Sequence, residues 1–181
     1  ATVVVPSRSK DKLALLPQSP NLRTIVSDIS SVAGAEAVRN RILDEFGRLD
    51  CVVASIGSWW QGPGLIDVPL NDWKQIIDDR LTSHFIAAST FLPVLHRAHG
   101  ASYTMLNGGA AEAPVPHSGP VSIMAAAQLM MKDVLVVEQR DNSVRINTLL
   151  IQAYVITRDH PDGDRNQLSA DHVGAYCAYL A

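Results

Sequence analysis

Charge is scarce in this chain, and what it lacks narrows the possibilities. Charged residues make up 18% and aromatics 6% of the 181 residues, and 15 Lys and Arg against 18 Asp and Glu leave a net charge of −3. No basic run is present, so nucleic acid and anionic membrane are excluded as expected partners. Only two cysteines occur, Cys51 and Cys177, in no metal-type or redox spacing. Each sits in an apolar run and reads as a buried free thiol, which favours a reducing compartment and a cytoplasmic location. No uncharged apolar run reaches the roughly 18 residues of a membrane span, and no signal-peptide pattern opens the chain. His96 and His99 have metal-like spacing but no third ligand; a favourable interaction with a helix C-terminus accounts for them, and no metal site is expected.

Hydrophobic residues, by contrast, make up 47% of the chain, enough for a sizeable core in one domain. Short β-branched or apolar runs at 2–6, 22–29, 49–56, 103–106 and 144–151 read as strands. Between them lie helical patterns: a short one within 7–16, one over 30–46 capped by Ser30 or Ser31 and ended by Gly47, one over 72–98 capped by Asn71, and one over 121–139. A last helix begins near Ala170, after an irregular loop at 158–167. Strands and helices alternate without repeats. This pattern predicts a Rossmann-like, doubly wound parallel sheet in a three-layer α/β/α domain spanning 1–181. Ligands then belong at the carboxyl ends of the strands, in the turns after Pro6, Asp28, Ile56, Leu106 and Ile151.

Several segments carry a family resemblance. Phe46-Gly47-Arg48-Leu49-Asp50-Cys51-Val52-Val53-Ala54-Ser55-Ile56-Gly57 resembles the F-G-R-L-D-x-L-V-N-N-A-G segment of short-chain dehydrogenases/reductases. Trp73-Lys74-Gln75-Ile76-Ile77-Asp78-Asp79-Arg80-Leu81 is similar to the family's W-x-x-x-x-D-V-N-L helix, and Arg145-Ile146-Asn147-Thr148-Leu149 to its R-V-N-x-V strand. The resemblance implies an opening strand, glycine-rich turn and helix before Ala1 and a final strand after Ala181. A longer natural chain is therefore expected.

The resemblance also implies a nicotinamide cofactor. Arg8, flanked by Ser7 and Ser9, stands where the family reads the 2′-phosphate of NADP; otherwise it is a solvated loop arginine. Asp28, followed by Ile29, matches an acidic residue near the adenine, or else serves its turn. Ala54, Ser55 and Gly57 match the N-N-A-G turn, keeping only its glycine, and Thr157 matches a threonine that contacts nicotinamide. Trp59 and Trp60 follow at the same edge, to line an apolar pocket or pack on a neighbour.

The residues that perform the family's reaction are missing. That chemistry uses a tyrosine as acid–base, a lysine four residues later, a serine thirteen residues before the tyrosine, and an asparagine upstream. Registered on Ala126-Ala127 and Glu138, these positions hold Val121, Ala125, Gly108 and Arg80. No Y-x-x-x-K pattern can be drawn, because no tyrosine lies between Tyr103 and Tyr154. Arg80 either pairs with Asp78 or Asp79 at the surface, the favoured reading, or binds an anionic ligand. His117-Ser118 reads as loop, since no positioned Asp completes a nucleophile–base pair.

Three functions follow in order. The first is an inactive family member acting as a binding or assembly subunit. The second is an NADP-dependent oxidoreductase with a non-standard proton donor such as His117 or Tyr154, and the third is a structural subunit without ligand. Apolar residues on several faces of the helices near 72–98 and 121–139 predict a homo-oligomer.

Overall fold

β-branched runs give the strands their places. β1 (Val3–Ser7) pairs in parallel with β2 (Leu22–Val26), Val3 facing Leu22 and Ser7 facing Val26. A second parallel sheet has the order β3 (Cys51–Ala54), β4 (Ser102–Gly108), β5 (Arg145–Ile151). Its register sets Cys51 beside Ser102 and Gly108 beside Ile151. These strands come from a computed structural model that describes residues 1–95, 100–157 and 167–181. The parallel sheets and the helices between their strands form a three-layer α/β architecture. Among the described residues β1–β2 and β3–β5 are separate hydrogen-bonded groups, not one continuous sheet. They share one core, in which Ile25 of β2 packs with Ala54, Tyr103 and Met105.

The helices follow their caps. α1 (Lys10–Ala14) starts at Ser9, whose hydroxyl accepts from the Lys12 amide. α2 (Val32–Phe46) starts at Ser31, whose hydroxyl accepts from the Gly34 amide, and stops at Gly47 in the left-handed region. Its buried residues Ala35, Val38 and Ile42 keep the expected spacing.

The helix expected over 72–98 is broken instead. α3 (Leu70–Ile77) begins two residues early, capped at Pro69 and not Asn71, and the Pro69 carbonyl accepts from Trp73. A π turn follows at Asp78–Thr82, then α4 (Ser83–Phe91) and a 3₁₀ turn at Leu92–Val94. Two hydroxyls hold the π turn: Ser83 Oγ donates to the Asp78 carbonyl at 2.7 Å and Thr82 Oγ1 to the Asp78 carboxylate at 3.1 Å. Such side-chain bonds compete with the regular ladder. Pro93, without an amide hydrogen, sits where the helix tightens. The His96 and His99 expectation falls on residues 96–99, outside those described.

α5 (Gly119–Glu138) is long and apolar enough, by length and composition alone, to cross a bilayer. Here it is fastened to the sheet: Asn107 Nδ2 donates to the Ala125 carbonyl at 2.8 Å and Gln128 Nε2 to the Leu106 carbonyl at 3.1 Å. β6 (Val155–Ile156) and β7 (Leu168–Ser169) form a two-residue parallel pair that sequence patterning did not suggest. α6 (Ala170–Leu180), capped by Ser169, closes the described chain.

Candidate functional site

Parallel strands bring the turns at their carboxyl ends to one edge. After β1, Ser7 Oγ accepts from the Ser9 amide at 3.2 Å and thereby shapes the turn that presents Arg8. After β2, the Asp28 carboxylate accepts from the Ser30 amide at 3.0 Å and the Ser30 hydroxyl at 2.5 Å. Those Ser30 bonds hold the Asp28 carboxyl below the usual range, with Arg8 adding slightly and burial opposing. Because β1 and β2 are neighbours, Arg8 Nε lies 3.9 Å from Asp28 Oδ1, so the two candidate cofactor residues meet each other. The pair is well exposed, and an ion pair so placed contributes little to stability.

Asp28 is positioned from below as well. A Cβ on Gly34 would lie 2.0 Å from the Asp28 carbonyl oxygen, so only glycine lets the first turn of α2 pack there. Ser27 Oγ also donates to the Gly34 carbonyl at 3.0 Å. Ile29 is half-buried against the core.

At the turn after β3, Ala54 is buried while Ser55 and Gly57 are exposed, and Gly57 has a φ of 100°, which favours glycine. Arg80 reaches over from the π turn. Its guanidinium Nη2 donates to the Ser58 carbonyl, and its Cγ would be 3.2 Å from a Cβ on Gly57. This replaces the expected surface pairing: among the described residues no ion pair within 4.0 Å includes Arg80. Asp78 is taken up by Thr82 and Ser83, while burial lowers the Arg80 proton affinity and Asp79 partly restores it. Trp60 stacks over Gly62, whose amide donates to the His117 carbonyl at 2.8 Å; Trp59 is exposed.

The expected reaction centre is apolar. Val121 and Ala125 lie one turn apart on α5, 8% and 9% exposed. Gly108, at the end of β4, faces open space: a Cβ there meets nothing within 4 Å. Behind it, Gly109 lies against Gln152, whose amide donates to the Glu112 carboxylate at 2.7 Å. His117 has a φ of 63° and is the one non-glycine in that region among the described residues. It is exposed and bound through its backbone, as the loop reading expected. Tyr154 is 83% exposed and Thr157 is exposed just after β6. Tyr103 is fully buried within the core, and burial raises its hydroxyl pKa above the ordinary value.

One buried group escaped sequence reasoning. His84 of α4 is 1% exposed; neither ring nitrogen has a partner at full hydrogen-bond geometry, although the Ile56 backbone lies near enough to favour the charged form. Burial lowers its pKa to about 4, with the Ile56 backbone opposing, so it is a neutral imidazole beneath the β3 turn. Its one signal in the sequence was a lone histidine ahead of the apolar run Phe85-Ile86-Ala87-Ala88.

Residues 1–174 match the family model described as enoyl-(acyl carrier protein) reductase. The chain belongs to this family, among the short-chain dehydrogenases/reductases. It is 24% identical over 149 residues to glucose 1-dehydrogenase 2 of Bacillus subtilis, covering 80% of this chain and 57% of that protein. The chain thus spans little more than half the length of that relative. Among solved structures it resembles NADH-dependent reductase A1-R′ complexed with NAD, with a TM-score of 0.79 and 16% identity over 100% of this chain and 78% of that one. It also resembles ElxO with NADP bound, with a TM-score of 0.85 and 16% identity over 98% and 80%.

Proposed function

We propose that this chain is a nicotinamide dinucleotide-binding member of the family in which the standard proton transfer has been lost, so that it works as a binding or assembly subunit. The observation that carries this is the buried Val121–Ala125 pair beside the open Gly108. Neither side chain holds a transferable proton. General acid–base assistance contributes about 10²–10⁴-fold in rate, and losing acid, lysine and serine together leaves little beyond positioning.

The adenosine end of a dinucleotide fits the residues present. Arg8 is exposed and oriented by Asp28 and the Ser7–Ser9 turn, and Asp28 remains a carboxylate at neutral pH. Arg8 would meet a 2′-phosphate, which favours NADP, and Asp28 with Ile29 would border the adenine. Ala54, Ser55, Gly57 and Thr157 would flank the remainder of the cofactor. The nicotinamide end fits less well, because Ala125 offers nothing to hold the ribose. When bound, the cofactor supplies hydride; this chain's residues bind and orient it without supplying a proton.

Isothermal titration of the full-length protein with NADPH and NADH tests the reading: saturable binding that is weaker for NADPH in Arg8→Ala supports it. No binding of either cofactor points instead to a structural subunit. The relatives are named as dehydrogenases and reductases, which favours one second reading, an oxidoreductase using His117 or Tyr154. A turnover screen over ketones and alcohols separates it from the first.

We further propose that the subunit self-associates and resides in the cytoplasm. α5 exposes a stripe at helical spacing, Ile123, Met130, Val134 and Val137, of which Met130 and Val137 are 63% and 64% exposed, and Phe85 of α4 is exposed too. The sequence leads us to expect buried free thiols; Cys51 and Cys177 are free and half-buried.

A further inference from the structure

We propose that Cys51 and Cys177 form a reversible intramolecular disulfide that fastens α6 to the start of β3. The two lie far apart in sequence, but Cys51 and the end of α6, one turn beyond Cys177, both reach Ser102 at the amino end of the sheet, away from the cofactor edge. Cys51 opens β3 and is paired in register with Ser102 of β4, so their side chains share a face. Ser102 is fully buried, and its Oγ lies 3.2 Å from Cys51 Sγ and 3.5 Å from the Ala181 carbonyl. Arg145 Nη2 donates to the same carbonyl and to that of Gly100, both at 2.9 Å, so the end of α6 is held against the sheet. Ala181 in turn donates its amide to the Cys177 carbonyl at 3.0 Å, which places Cys177 one helical turn back.

Burial raises the Cys177 thiol pKa, and the neighbouring Cys51 adds to the rise. Both thiols are half-buried and within reach of a small oxidant. With a hydroperoxide as oxidant, the Cys51 thiolate attacks one peroxide oxygen. The S–O bond forms, the O–O bond breaks, and the departing oxygen takes up the proton that the Cys51 thiol had released and leaves as water or an alcohol. Cys177 then attacks the Cys51 sulfur, the S–S bond forms, the S–O bond breaks, and a second molecule of water leaves with the Cys177 proton. The peroxide gains two electrons and the thiol pair loses two. A cellular thiol reverses the step by exchange.

The test treats the full-length protein with hydrogen peroxide, blocks residual thiols with N-ethylmaleimide, and maps peptides by mass spectrometry without reduction. The expected result is one peptide pair joining Cys51 to Cys177, about 2 Da below the sum of its parts, released by dithiothreitol. It is absent from Cys51→Ala and Cys177→Ala. The Tm of the oxidised wild-type protein is expected above that of the reduced form, with no such difference in either variant. Separately oxidised or separately alkylated cysteines, or linkage only between two chains, would overturn the proposal.

Discussion

Acidification should destabilise this protein through His84, with a calculable size. The imidazole is neutral in the fold, with a pKa of about 4, whereas an unfolded chain holds it at 6.5. Between these values the unfolded state binds the proton and the folded state does not. Stability is therefore complete above pH 6.5, falls as pH drops toward 4, and changes no further below that. At 1.36 kcal/mol per pH unit the whole interval corresponds to about 3 kcal/mol, of which about 2 kcal/mol is lost by pH 5. Asp28, whose carboxyl is held below its usual value, is ionised at both pH 8 and pH 5 and does not confuse the comparison. Urea unfolding at pH 8 and pH 5 reads the loss as a midpoint shift of about 1 M, for a slope of about 2 kcal/mol/M. His84→Leu removes the titration and also two buried nitrogens without a partner at full hydrogen-bond geometry. Its midpoint should drop less between the two pH values and exceed that of the wild type at pH 5. Equal pH dependence in wild type and variant would refute the assignment.

Other consequences are as direct. Gly34→Ala puts a methyl 2.0 Å from a backbone oxygen and should cost about 3 kcal/mol or more in chemical denaturation. Gly108→Ala enters open space on extended backbone and should raise stability by about 0.4–1 kcal/mol. Ser31→Ala removes the α2 cap and should cost about 1 kcal/mol, whereas Ser31→Gly costs only a few tenths. Replacing Met130 and Val137 together by Lys should turn an oligomer into a monomer by sedimentation velocity at micromolar concentration, with the circular dichroism spectrum unchanged.

The parts of this molecule governed by local rules were legible in the sequence. α2 runs from its serine cap to its glycine stop because both signals are covalent neighbours of the helix. The continuous apolar runs marked β3, β4 and β5, although their ends differ by a few residues. What escaped reading depends on partners distant along the chain. The π turn exists because Ser83 and Thr82 turn back on Asp78, a competition that helical periodicity does not register. Arg80 was expected to pair with a carboxylate beside it. Its actual partner is the Ser58 carbonyl, and a backbone acceptor has no signature in sequence. Arg8 and Asp28 were read as separate contacts to a cofactor; that they also face each other follows from β1 and β2 being adjacent. The apolar character of Val121 and Ala125 was plain from sequence, and their burial adds that no solvent-borne acid easily substitutes for them.

The most direct test of the central claim is NADPH oxidation by the full-length protein over a panel of ketones, measured beside a variant carrying Gly108→Ser, Val121→Tyr and Ala125→Lys. The account predicts no turnover above background for the wild type and measurable turnover for the variant. Robust oxidation by the wild-type protein would contradict it.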